Sequence, residues 1–367
     1  MKKLLLAAAA AFVCASVVSA GDIKFTNKIW EDDAILQHFY NDEGDKETTH
    51  DFPGLKERMI AEYTSERVDA MVKATITFDD HNGSDFGFKG KLNDWYIEFR
   101  PLASITLGMH DEIDTNGSYL PIYDGNMGNG NIGDDFVFVY SPAALDGALR
   151  LAASAPIGEF DNANVNYVDG EEKDGENDPF VFGLGAIFEQ EYFEIGGTIK
   201  DVLEGSGDRS YGAYVNLPGL FGNVKELSLF ALGLTLDGEG EGDYISVGDL
   251  EAGVTGDTLF NFGLQYESDI TLAVDALYNF GENGTYDLYA AVLLGMGINE
   301  FDVSLWGKTL VDLKDDNEKE KIGFDVGCEF DYALDDQNTV FFGAEAAIYD
   351  GCWAFAVPAG WKYTFKN

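Results

Sequence analysis

The sequence is poor in basic residues. Its 367 residues include 23 lysines and arginines against 66 aspartates and glutamates, so the formal net charge is -43 at pH 7. A chain this acidic is repelled by phosphate groups, which excludes nucleic acid and an anionic membrane surface as partners. Strong acidity can also indicate a disordered chain, but disordered chains lack aromatic residues and 14% of this one is aromatic. Together with 43 glycines, this composition indicates many strands joined by tight turns.

Long apolar runs are absent beyond the amino terminus. Lys2 and Lys3 precede an apolar run over 4–13, and small residues end at Ala20, which is the pattern of a cleaved secretory signal over residues 1–20. Its apolar core is too short to span a bilayer as a helix, which needs about 20 residues. Because no longer run follows, residues 21–367 could cross a membrane only as a closed barrel. We therefore expect a single exported barrel domain.

Cysteine and histidine are also scarce. Cys328 and Cys352 are the cysteines that remain after the signal is removed. The strand alignment places them two strands apart, so we expect no disulfide. The four histidines are scattered over predicted loops and strand ends, and no serine or cysteine can be placed beside them. The sequence therefore predicts no enzyme, no cofactor and no metal site.

What the chain has is alternation with a period of two, strongest at its carboxyl end. Between Cys352 and Phe365 every second residue is apolar, with small or polar residues between. The apolar set is Trp353, Phe355, Val357, Ala359, Trp361, Tyr363 and Phe365. Rings at both ends of one strand face are typical of a strand that crosses a bilayer, because aromatic residues favour both water interfaces. The segments 322–332 and 340–348 repeat the pattern.

The connections between predicted strands are of two kinds. Those at one end are short, as at 190–191, 268–269, 298–300 and 335–338. Many at the other end are long and acidic, at 31–55, 81–93, 111–134, 158–178, 238–256 and 315–320. Short periplasmic turns alternating with long outer loops predict an all-β fold, a transmembrane antiparallel up-and-down β-barrel of about 16 to 18 strands.

The opposite strand faces carry many ionisable residues, namely Glu267, Asp275, Asp287, Asp302, Lys308, Asp325, Glu329, Asp331, Glu345 and Lys362. Acids outnumber bases in this set, so most should lack a local partner, and a packed dry interior would not tolerate them. Asp275, Asp302 and Glu329 lie well inside their predicted strands. With Glu345, they are predicted to face a water-filled lumen. The alternative is that these charges lie at strand ends in contact with bulk water.

One stretch resembles a known family. Residues 95–99 form an aromatic strand, a tight turn follows, and 103–108 form a strand that ends in Leu107 and Gly108. This order resembles the segment before the third loop of Gram-negative general porins. The resemblance implies that loop 111–134 folds into the barrel as a pore constriction, and that the protein is a homotrimer. The alternative for this loop is an ordinary solvated outer loop.

An inward loop would set acids against bases. The loop acids would be Asp111, Glu112, Asp114 and Asp124, and the opposing bases Lys73, Arg100 and Arg150. The apolar neighbours Val72 and Ala74 put Lys73 on the inner strand face. Acid on one side and base on the other create a transverse field that screens solutes by charge.

These observations favour a porin of the cell outer membrane, a water-filled channel for passive diffusion of small hydrophilic solutes and ions. The acid excess predicts a preference for cations. Its partners would be those solutes, outer-membrane lipid and two further copies of the chain. A substrate-specific channel is a close variant. A different class also remains, a non-conducting surface barrel that acts as an adhesin or a structural protein.

Overall fold

The structure is a computed structural model that describes most of the chain after residue 21. The described residues are 22–30, 34–40, 46–49, 55–81, 85–110, 121–122, 132, 135–155, 167–168, 171–172, 182–200, 202, 210–217, 226–240, 243–247, 250–254, 256–281, 287–312, 322–349 and 351–366. The predicted signal over 1–20 lies outside them. So do the four predicted loop acids, Asp111, Glu112, Asp114 and Asp124.

Almost all of the described backbone is extended. The strands of the first half are β1 (Asp22–Trp30), β2 (Ala34–Tyr40), β3 (Lys46–Thr49), β4 (Leu55–Thr64), β5 (Val68–His81), β6 (Asp85–Leu102), β7 (Ile105–His110), β8 (Asp135–Tyr140), β9 (Leu149–Ala155), β10 (Tyr167–Val168), β11 (Glu171–Glu172) and β12 (Gly183–Gln190). Those of the second half are β13 (Phe193–Lys200), β14 (Ser210–Asn216), β15 (Leu227–Gly240), β16 (Asp243–Val247), β17 (Leu250–Gly253), β18 (Gly256–Glu267), β19 (Ile270–Asn279), β20 (Leu288–Ile298), β21 (Phe301–Val311), β22 (Ile322–Ala333), β23 (Asn338–Tyr349) and β24 (Cys352–Lys366). One short 3₁₀ turn spans Ala143–Leu145. No described helix is long and apolar enough to cross a membrane.

The sheet closes on itself. Successive strands of the barrel pair antiparallel, and β1 also pairs with β24, where Thr26 lies opposite Lys366. Both β1 and β2 lie along β24, so they are successive segments of the first barrel strand, and β3 and β4 likewise belong to the second. The barrel has 18 strands, which is the higher of the two predicted numbers. Two hairpins, β10–β11 and β16–β17, lie outside the barrel sheet.

The short turns lie within one residue of the predicted positions, at 191–192, 268–269, 299–300 and 334–337. Asn299 has a φ of 58°, a left-handed conformation that asparagine tolerates better than most residues. In the 334–337 turn the Asp335 carboxylate accepts hydrogen bonds from the Asn338 side chain and from the backbone N–H groups of Gln337 and Asn338. These bonds, led by that of the Asn338 side chain, hold the pKa of Asp335 below its ordinary value.

Four of the predicted long loops contain strands, and the prediction is wrong for those parts. The 158–178 segment contains β10 and β11. The 31–55 segment includes β2 and β3, which lengthen the first barrel strands, and β6 begins inside the 81–93 segment. The 238–256 segment contains the β16–β17 hairpin. Acidic composition alone does not prevent a segment from pairing once a neighbouring strand supplies the hydrogen bonds.

The outer face of the barrel is apolar, as alternation predicts. On β24, Trp353 and Trp361 are exposed, whereas Ala354 and Ala356 between the apolar positions are buried. Phe324, Val326, Phe342 and Ile348 on β22 and β23 are also exposed. Cys328 and Cys352 lie on β22 and β24, two strands apart, as the strand alignment predicts, and no disulfide joins them.

Candidate pore lining

The strand registers show which side chains share the inner face, because directly opposite residues of an antiparallel pair point the same way. Asp69 lies opposite Glu98, and Lys73 opposite Asp94, so these residues share one face of β5 and β6 with Arg100. Arg150 lies opposite Ile187 on β12, on the face that continues this set through β7 and β8. The three predicted bases are therefore all on the inner wall.

The sequence reasoning missed further bases on the same wall. The inward bases of β1, β4, β5, β6 and β9 are Lys24, Lys28, Lys56, Arg58, Lys73, Lys91, Arg100 and Arg150. The inward acids of β18 to β23 are Asp257, Glu267, Asp275, Asp302, Asp325, Glu329, Asp331 and Glu345. Acids such as Glu62 and Asp69 accompany the bases, but bases predominate on the β1–β9 wall and acids predominate on the β18–β23 wall. The described inner surface thus carries charge divided across the lumen.

Arg100 is the centre of an ionic group near the short-turn end of the barrel. It contacts the Asp69 carboxylate, and its Nη2 lies 3.5 Å from Oε2 of Glu98. On the other side of Glu98, His110 Nε2 lies 3.3 Å from Oε1, and the His110 ring stacks on Tyr96 with centroids 5.3 Å apart. The group holds the Arg100 guanidinium in place by contacts with two carboxylates.

A cavity of about 320 Å³ adjoins this group. Glu98, Arg100, His110 and Arg150 line it together with Thr106 and Ser141. The Arg150 side chain is 48% exposed, and among the described residues its ion-pair partner is Glu189, whose carboxylate oxygen is 3.9 Å away. Its guanidinium is thus only loosely engaged and can donate hydrogen bonds to a passing polar solute.

The acidic wall is paired more tightly than the sequence indicates. Lys308 Nζ lies 2.8 Å from Asp325 Oδ2 and 3.9 Å from Glu345 Oε1, and Trp306 Nε1 donates a 3.1 Å hydrogen bond to Glu345. The expectation that most of these acids lack a local partner is wrong here. Lys308 pairs with both Asp325 and Glu345 because the pairing of neighbouring strands brings the three side chains together.

Lys362 repeats this arrangement nearer the turns. Its Nζ lies 3.1 Å from Glu329 Oε1 and 3.5 Å from Asp331 Oδ1, and 4.3 Å from the centroid of the Phe341 ring. Asp302, by contrast, is the second residue of β21, beside the 299–300 turn, and is exposed. The prediction that it lies well inside its strand is wrong, because the strand begins only one residue earlier.

Asp275 is fully buried although it points inward. Its Oδ2 accepts a 2.8 Å hydrogen bond from the backbone N–H of Ile122, a residue of the 111–134 loop. Ile122 also packs against a buried apolar cluster formed by Val247, Val254, Leu259, Leu277, Tyr289, Ala291, Leu310, Ala347, Ala354 and Ala356. The loop therefore reaches the inner wall of β19.

The same loop touches the wall a second time. Ile132 is fully buried, and its carbonyl accepts a hydrogen bond from the Ser154 hydroxyl on the inner face of β9. Gly183 on β12 donates its N–H to that hydroxyl over 3.1 Å, and a Cβ at this position would overlap the Ile132 carbonyl. A glycine is thus required where Ile132 lies against the wall.

The β16–β17 hairpin is a further part of the inner surface that sequence reasoning missed. Its Val247 and the adjacent Val254 belong to the apolar cluster and are 1% and 0% exposed. The hairpin approaches β21, β22, β23 and β24. The signal was present, because Tyr244, Ile245 and Val247 form a short apolar stretch followed by Gly248 and Asp249, which favour a turn. Within the described part of the chain, no three side chains group as metal ligands.

No protein-family model and no curated protein sequence matches the chain. Several solved structures, however, match its fold. OccAB4 of Acinetobacter baumannii matches with a TM-score of 0.56 and 9% identity over 96% of this chain and 100% of that one. OpdK of Pseudomonas aeruginosa, solved with vanillate, matches with a TM-score of 0.51 and 10% identity over 94% and 99%. A BenF-like porin of Pseudomonas fluorescens matches with a TM-score of 0.51 and 11% identity over 95% and 99%.

These likenesses extend over nearly the whole of each chain, at identities that carry information on the fold alone. They agree with the closed antiparallel barrel. The porin resemblance of residues 95–108 is confirmed at the level of the fold. The chain is a transmembrane β-barrel with the fold of Gram-negative outer-membrane porins.

Proposed function

We propose that the protein is a channel of the outer membrane through which small hydrophilic solutes and ions diffuse passively, with a preference for cations. The observation that carries this proposal is the inner wall of partly exposed ionisable side chains in a closed 18-stranded barrel. Charged groups at such positions need water, and a barrel of this strand number is wide enough to hold it. Passive diffusion requires no chemistry from the wall.

The 111–134 loop is proposed to form the constriction. Its Ile122 and Ile132 contact the inner walls of β19 and β9, which supports an inward path. Asp111, Glu112, Asp114 and Asp124 would then lie within the field of Lys73, Arg100 and Arg150. A narrow passage between opposite charges orients dipolar solutes and selects among ions.

The proposed cation preference rests on the excess of acid. Carboxylates predominate on the inner face of β18 to β23 and in the sequence of the outer loops. Solutes that enter from outside would first meet this negative potential, which concentrates cations and repels anions. The copies of the chain are proposed to form a homotrimer, as the resemblance implies, which the mass of the protein in detergent can test.

Single-channel recording under a salt gradient tests the proposal. The refolded mature protein should give stable open steps with a reversal potential of cation-selective sign. Replacement of Asp111, Glu112 and Asp114 by asparagine should reduce that preference. The matched control replaces Asp174, Glu176 and Asp178, acids of another predicted outer loop, and should change it less. Open steps without cation preference would refute the selectivity, and no conductance from a verified folded barrel would favour the adhesin or structural alternative.

A substrate-specific channel is a second candidate, favoured by the cavity beside Arg100 and Arg150. The neighbour solved with vanillate suggests an aromatic carboxylate as a probe. Vanillate should transiently block the ion current if this cavity holds such solutes. The block should weaken on Arg150→Ala, which removes the loosely engaged guanidinium. An equal block in both proteins would exclude this cavity as the binding site.

A further inference from the structure

A section of the inner wall on β18 to β22 is shielded from water, whereas several charged side chains on β1 to β9 are exposed. On β18 to β22, inward Leu277, Tyr289 and Leu310 are at most 1% exposed, and Asp275 and Asp325 are fully buried. On the first strands, the inward side chains of Lys24 and Arg100 are 57% and 34% exposed, and that of Arg150 on β9 is 48% exposed. In a wide barrel filled only with water, both sides would be wet. Part of the β18–β22 side must therefore be covered.

The cover includes the β16–β17 hairpin. Val247 and Val254, at its centre and its end, are buried in a cluster whose other members lie on the inner faces of β18 to β24. Ile122 of the 111–134 loop packs on the same cluster. Cys352, which points inward from β24, also contacts it. Apolar side chains from a connecting segment thus meet an apolar section of the inner wall.

This section of wall is unusual for a channel lining. Water-facing positions are ordinarily polar, whereas Leu259, Leu277, Leu310 and Ala354 form a continuous apolar surface here. Burial of apolar area against the hairpin stabilises the seated position by the hydrophobic effect. Because the hairpin joins two neighbouring barrel strands, β15 and β18, it can reach this wall without leaving the barrel.

We propose that the β16–β17 hairpin is a resident plug that covers this apolar section of the β18–β24 wall and, at that level of the barrel, displaces the water path towards the β1–β9 side. This inference rests on the proposed channel function. It assigns Val247 and Val254 as positioning residues that hold the hairpin on the wall. It also removes Asp275 and Asp325 from the ion path, so the selectivity must come from carboxylates outside the covered section.

Deletion of the hairpin tests the plug. Replacement of residues 243–253 by a four-residue Gly-Ser linker leaves every barrel strand in place. Conductance should rise about twofold, because the plug lies over strands that make up somewhat less than half of the wall. Unchanged conductance from a folded variant would overturn the proposal. If the wild-type protein itself does not conduct, the channel function fails, and the following measurement still decides on the plug.

Cysteine labelling gives that second measurement. In a background with Cys328→Ser and Cys352→Ser, Val247→Cys should react slowly with a charged, water-soluble thiol reagent. Arg150→Cys, at a half-exposed position on the open side, should react at least tenfold faster. Equal rates would show that Val247 faces water and would overturn the proposal. This result does not depend on whether the deletion variant folds.

Discussion

Replacement of Lys308 by methionine should strongly destabilise the barrel. Asp325 is fully buried, and its closest cationic group is Lys308 Nζ at 2.8 Å. Methionine keeps most of the side-chain volume but leaves Asp325, and Glu345 beside it, without the positive charge. Removal of one partner from a buried ion pair costs about 3 to 5 kcal/mol. We expect the lower value, about 3 kcal/mol, because Lys308 keeps 20% exposure; it corresponds to a roughly 150-fold change in the folding equilibrium.

The free energy of unfolding can be measured by urea titration of the refolded protein in lipid vesicles, with tryptophan fluorescence as the signal. The control is Lys362→Met, because its partners Glu329 and Asp331 are 27% and 30% exposed and water can solvate them. That variant should lose at most about 1 kcal/mol. The double variant Lys308→Met/Asp325→Leu should recover most of the loss. Equal stabilities of wild type and Lys308→Met, or no recovery in the double variant, would refute the reasoning.

Three further predictions concern single positions. Gly327→Ala should lower the free energy of unfolding by about 1–3 kcal/mol, because the new Cβ would overlap the Trp306 ring. The control is Gly307→Ala, whose Cβ would meet nothing within 4 Å and which should change the free energy of unfolding by less than about 0.5 kcal/mol. Asp335→Ala should destabilise the protein at pH 7. Its difference from wild type in free energy of unfolding should shrink as the pH falls below the ordinary pKa of 3.8, because the folded-state pKa of Asp335 is depressed and protonation removes the turn's hydrogen bonds. A difference that stays constant down to pH 2 would contradict this. Cys328 and Cys352 should both react with a thiol reagent in unreduced, urea-unfolded protein, and a reaction that first needs a reductant would reveal a disulfide.

Alternation predicted the outer face well because that face is in contact with a uniform apolar medium. The outward residues of β22, β23 and β24 had to be apolar, and a period of two follows. The same signal fails on β4, where Glu57 shares the outer face with Met59 and Tyr63 and accepts a 2.7 Å hydrogen bond from the Asn27 side chain. Both faces of that strand are mixed, so Lys56 and Arg58 could not be assigned to the lumen from the sequence.

Other parts of the candidate site depend on contacts between distant residues. Lys308 meets Asp325 because β21 and β22 pair in one register, and a shift of one residue would separate them. Loop 111–134 reaches Asp275 across the barrel, which no local pattern can indicate. The β16–β17 hairpin had a local signal, but its position inside the lumen follows from an apolar wall built by six other strands. The sequence pattern shows which residue types lie on a strand face, but it does not show which distant residues they contact.

The pairing of β1 with β24 has a consequence for biogenesis. The two ends of the chain form one ladder, so loop-closure entropy is paid over almost the whole polypeptide before these hydrogen bonds form. Until then the sheet has two open edges, each a template for unwanted strand addition. Export must therefore deliver the entire chain before the barrel can close, and a truncated product that lacks β24 would aggregate rather than fold into a smaller barrel.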